Sequence, residues 1–208
     1  MAKRAVPEIN AGSMADIAFL LLIFFLVTTT MDIDSGISRK LPEKQDPNVE
    51  PPILKEKNVF VVNLNRNGDI LVENETFMKV NELKDAAIEF LDNGGGTDKD
   101  GNKCDYCKGK KSIKSSDHPK KAIISIESAR GTKYGTYIAV QNELVAAYNV
   151  LRERSSNELY GITFDELLKR AKDENNSVAK AADLKIKVKR IKEMFPMIIS
   201  EAEPVKFN

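Results

Sequence analysis

One stretch constrains this chain more than any other: Met14 to Met31, MADIAFLLLIFFLVTTTM, an apolar run carrying a single carboxylate, Asp16. Roughly 20 apolar residues at about 1.5 Å rise are needed to cross a hydrocarbon core about 30 Å thick. The run meets that length if Ile9 to Ser13 supply its first turn at the headgroup level. An aspartate near the centre of a spanning helix costs about 2.5–3.5 kcal/mol on insertion scales. Such a group persists where it lines a protein-filled or wetted path.

A cleaved signal peptide is the competing reading, since Lys3 and Arg4 precede a segment of h-region length. Pro7, Glu8 and Asp16 interrupt that pattern, and no A-x-A-like site follows Val27, which favours a retained anchor. Lys3 and Arg4 before the span, against Asp32 and Asp34 after it, place the N-terminus in the cytoplasm. The rest of the chain then lies across the membrane.

The expected organisation is a cytoplasmic stub (1–13), a transmembrane helix (14–31), a linker (32–57), a small α/β domain (58–156) and a helical extension with a terminal strand (157–208). Asn10, Ser13, Asp16, Leu20, Ile23, Val27 and Thr30 recur at helical spacing and share one face. That polar thread on a greasy helix suggests a partner helix or a ring of them. Pro42, Pro47, Pro51 and Pro52 among charged residues mark the linker.

From Asn58 the sequence alternates in type. Val59–Leu64 and Asp69–Val72 read as strands around Asn65-Arg66-Asn67-Gly68, a hairpin signal. A helix starts near Asn81, its expected cap. Lys121–Ile126 is a buried-type strand and Tyr137–Arg152 a second amphipathic helix. The order β-β-α-β-α, with a short strand near Met197–Ser200, describes a small sheet with helices on one face. Residues 92–118 read as a Gly-, Asp- and Lys-rich surface insertion, and 184–191 as helix ended by Pro196.

Lys+Arg 32 against Asp+Glu 31 gives no footprint for nucleic acid. Cys104 and Cys107 have CxxC spacing; outside the cytoplasm that reads first as a local disulfide stapling a flexible loop. A redox-active pair fits less well in an insertion, and a metal site finds too few ligands, with His118 the only histidine. Covalent haem attachment fails because Lys108 follows Cys107. No nucleophile–base set or phosphate loop presents itself, so no catalytic residue, cofactor or metal is expected and the chain is not read as an enzyme.

Asp16 has two readings: a structural partner for another helix, or a group that binds and releases protons. Removal from water favours the neutral form of a carboxyl, and wetting favours the charged one. A proton crossing 100 mV liberates about 2.3 kcal/mol, which an alternating acid can convert into helix motion.

The chain resembles the ExbD/TolR family of biopolymer transport proteins. Pro7-Glu8-Ile9-Asn10, the segment Met14 to Phe25, Leu41-Pro42, Val61, Asn63-Leu64, Gly68, Ile70, Ile123–Ile126 and Tyr134-Gly135 carry the resemblance. The ending Phe195 to Pro204 resembles the longer, Bacteroidetes-type form. The resemblance implies a single-pass inner-membrane protein with a periplasmic domain. Its partners would be a second copy, a pentameric polytopic ExbB-like protein and a TonB-like energy transducer. Asp16 would carry the proton, with Ser13, Thr28 and Thr30 as candidate polar residues of its path. The family's Thr-Pro before Ile-Asp is replaced here by Ala11 to Ala15, where Ser13 supplies the hydroxyl. The implied function is a proton-channel and motor subunit for TonB-dependent outer-membrane transport. A TolR-like envelope, gliding or secretion motor, a passive anchored binding module and an anchored thiol oxidoreductase are the alternatives.

Overall fold

The computed structural model describes residues 11–28, 54–73, 75–173 and 176–202, and divides the chain into two compact units, Met1–Pro51 and Pro52–Asn208. Thr30 and most of the expected linker lie outside the described residues.

In the first unit, helix α1 spans Ala11–Thr28. Its 18 residues rise about 27 Å, short of the roughly 30 Å of a hydrocarbon core. Among the described residues no helix is long and apolar enough to cross a membrane, so the expected span over 14–31 is not seen as such.

The second unit is built on a five-stranded sheet in the order β3-β2-β1-β4-β5. Strand β1 (Val59–Leu64) buries Phe60, Val62 and Leu64 and leaves the alternate residues half-exposed, the period-two pattern of a sheet with one covered face. It pairs antiparallel with β2 (Ile70–Val72) and parallel with β4 (Ile123–Ser128), Val62 facing both Val72 and Ile126. The Asn65 side chain closes the intervening turn by accepting from the Asn67 and Asp69 amides, both at 2.9 Å. Gly68 supplies φ +93° there, which a side chain would strain.

The structure adds a strand the sequence reading lacked. Thr76–Met78 forms β3, antiparallel to β2, as an edge of only three residues with Phe77 exposed. Its brevity hides it from alternation. Helix α2 (Val80–Leu91) then starts one residue earlier than its expected cap. Lys79 stands at the cap, and its amide donates to the Glu82 carboxylate at 3.1 Å, so Asn81 is inside the helix.

Helix α3 (Tyr134–Tyr160) is longer than expected and ends at Gly161, φ +67°. With α2 it covers the sheet: Leu83, Ala87, Phe90 and Leu91 meet Val140, Leu144, Ala147 and Leu151 over Phe60, Val62, Ile124 and Ile126. Each large apolar side chain so buried contributes about 1.5–3 kcal/mol.

Two further helices, α4 (Phe164–Lys172) and α5 (Val178–Met194), form a hairpin with its own small core of Phe164, Leu167, Leu184 and Ile191. Residues 184–191 are helical, although they alternate like a strand. Thr163 caps α4 and Ser177 caps α5 through their hydroxyls. Pro196 follows the end of α5, and Ile199–Ala202 returns as β5, parallel to β4.

Candidate functional site

On α1, Ser13 and Leu20 lie one turn either side of Asp16 and share its face. Every residue from Gly12 to Leu26 is exposed. The large apolar side chains range from Ile23 at 41% to Leu26 at 64% exposure. Phe24 and Phe25 meet edge-on at 5.9 Å between ring centroids. Apart from the Ser13 and Asp16 positions the helix is apolar around its circumference and has no face that water favours. Asp16 is the only ionisable residue of α1. The arrangement therefore holds one carboxyl, with the Ser13 hydroxyl residue a turn away, on a helix that is apolar from Ile17 to Val27. Thr28 is the last residue of that helix.

The second group of interest is the 92–118 segment. Expected as a loose surface insertion, it is tied into the domain. Cys104 and Cys107 form a disulfide with both residues buried. Gly94 packs on it so closely that a Cβ would fall 2.7 Å from the Cys107 Cβ. Asn93 donates to the Ser112 and Ser116 carbonyls at 2.8 and 2.7 Å and accepts from the Ser112 amide at 2.8 Å. Asp117 pairs with Lys57 at 2.5 Å, and its amide donates to Asn58 Oδ1 at 2.8 Å. Burial opposes the Asp117 charge, but Lys57, Asn58 and Lys55 outweigh it and hold the carboxyl below its usual range.

Within the disulfide loop, Tyr106 reaches across to the end of α5. Its hydroxyl donates to the Met194 carbonyl at 2.9 Å, and its ring meets Phe195 and His118 edge-on at 5.3 and 5.9 Å. From α3, Arg152 donates Nε and Nη2 to the Phe195 carbonyl at 3.0 and 2.7 Å. These donors satisfy carbonyls that the end of a helix leaves open. Neither could be read from the sequence, since the partners are 88 and 43 residues apart.

A family model described as "Biopolymer transport protein ExbD/TolR" matches residues 2–152. The chain belongs to the ExbD/TolR family. No curated relative matches it. The matched range takes in α1 with Asp16, the hairpin, α2, the disulfide-tied segment, β4 and most of α3. Membership places the chain among proteins that couple the proton motive force to transport.

Ser13 and Asp16 stand together on α1, whereas Cys104 and Cys107 sit in the second unit. The cysteine pair does structural work there: both residues are 6–7% exposed, and the loop they close holds Tyr106 against α5. His118 is 2% exposed, and its Nδ1 accepts from the Lys120 amide at 3.1 Å. Among the described residues no three His, Cys, Asp or Glu side chains cluster as metal ligands.

Proposed function

We propose that this chain is the proton-carrying subunit of an inner-membrane ExbB–ExbD type motor that energises TonB-dependent outer-membrane transport. The observation that carries the reading is Asp16: the one ionisable group of a helix with apolar side chains exposed on every side, in a chain of this family. The helix lies in the bilayer within a ring of polytopic partner helices. A second copy shares that ring. Asp16 takes up a proton when sealed among apolar walls and loses it when wetted from the other side. Ser13, one turn from Asp16, lines its path.

The outer unit lies in the periplasm and transmits the motion to an energy transducer. The Cys104–Cys107 disulfide supports that compartment, since such bonds persist in oxidising surroundings. The reading gives this unit no enzymatic role. Its single histidine is buried, and burial depresses its proton affinity.

The test is complementation with Asp16→Asn in cells whose siderophore, haem or vitamin uptake depends on this gene. Asparagine keeps size and hydrogen bonding but carries no charge. Loss of uptake with normal expression and partner assembly is the expected result. Normal uptake would leave an anchor with a structural acid, and loss of envelope integrity with normal uptake would point to the TolR-like role.

A further inference from the structure

The α4–α5 hairpin lies beyond the residues that match the family, so its surface is additional to the family's common plan. Between the two helices runs an open groove of about 460 Å³, with Leu168, Ala171, Val188 and Pro196 as its apolar floor. Lys172 borders it on α4, and Lys185, Lys189 and Lys192, with the single carboxylate Glu193, border it on α5. Lys189 reaches Glu193 at 3.7 Å, an exposed pair, whereas Lys172, Lys185 and Lys192 are in no ion pair among the described residues. Helix α5 carries six basic residues against Asp183 and Glu193, in a chain whose net charge is only +1. Three of those six, with Lys172 of α4, border the groove against one carboxylate, Glu193.

A trough with an apolar floor and cationic rims is shaped for a ridge, and its charge selects an acidic one. We propose that the α4–α5 groove docks an acidic amphipathic helix of a protein partner. Apolar side chains at i, i+3/i+4 and i+7 of that helix enter between Leu168 and Val188, and its flanking Asp or Glu residues meet the four lysines. An anionic bilayer shares the charge but offers a flat surface, which leaves a concave floor unfilled.

The test uses the full chain in nanodiscs of zwitterionic lipid. Its probe is a fluorescent helix-forming peptide with leucines on one face and glutamates flanking them, followed by anisotropy. The same peptide with lysine for glutamate is the control. Saturable binding of the glutamate peptide alone is expected. The variant Lys185→Glu/Lys189→Glu/Lys192→Glu, changed only at exposed positions, should weaken it about tenfold or more. A second variant, Val188→Asp, removes the apolar floor with the lysines intact and should weaken it as well. Equal binding of both peptides, or unchanged binding by the charge-reversed variant, would overturn the proposal. So would displacement of the peptide by phosphatidylglycerol-rich vesicles with direct capture of the variant-sensitive vesicles, which would make the face a lipid site.

Discussion

Arg154 of α3 grips the Asp92 carboxylate at the end of α2 with two parallel hydrogen bonds, Nη1 and Nη2 each at 2.7 Å. The same guanidinium reaches the Tyr106 carbonyl at 3.4 Å, so one side chain joins both covering helices to the disulfide loop. Asp92, hydrogen-bonded to it, raises the Arg154 proton affinity. Arg154→Met leaves Asp92, 4% exposed, without its counter-charge, and should destabilise the second unit by about 2–3 kcal/mol. Adding Asp92→Asn should recover part of that loss. Urea unfolding of the single and double variants checks both, and additive losses would show that the two side chains are not coupled.

His118 predicts a pH dependence with a definite sign. Burial holds its proton affinity below the ordinary value of 6.5, with Asp98 opposing and Lys120 and Lys121 assisting. The unfolded chain therefore binds the proton first. The stabilisation is whole above pH 6.5 and is lost as the pH falls through the lowered folded value. This is the chain's only histidine, so His118→Gln should flatten the slope between pH 7 and 5. Thermal unfolding at a series of pH values measures it, and an unchanged slope in the variant would contradict the assignment.

Gly95 makes a close backbone approach. A Cβ there would fall 2.0 Å from the Ser112 carbonyl oxygen, whereas one at Gly135 would meet open space. Gly95→Ala should therefore destabilise the unit by about 2 kcal/mol or more through forced displacement of backbone, and Gly135→Ala should not. Unfolding midpoints of the two variants decide it.

The disulfide closes a very short loop, separation 3, so its effect on the unfolded chain is small, about 2 kcal/mol by loop entropy. Cys104→Ala/Cys107→Ala should lose about that much. Because Tyr106 sits between the two cysteines, amide exchange should also quicken at the end of α5 and in β5. Exchange confined to 104–107 would show that Tyr106 does not transmit the restraint.

The local features were the legible ones. Asn65 and Gly68 announced the hairpin because turn chemistry is carried by the turn's own residues. The β-branched run Val59–Leu64 marks a strand, but which of its faces is buried, Phe60, Val62 and Leu64, is shown only by the structure. Periodicity is silent on polar contacts made across long sequence separations. Asn58 with Asp117, Asn93 with Ser112, and Tyr106 with Met194 turn a Gly-, Asp- and Lys-rich stretch from an expected loose loop into packed structure. Composition could not distinguish the two. Asp16 was visible at once, since a lone acid in an apolar run stands out without any tertiary knowledge.

A proton carried by Asp16 makes flux through the assembled complex depend on that carboxyl. The chain, assembled with its polytopic partner in liposomes holding a pH-sensitive dye, is given an inward proton gradient and a membrane potential. Wild-type complex should acidify the lumen, and Asp16→Asn complex of the same composition should not. Equal flux in both would show that Asp16 does not carry the proton and leave it a structural residue.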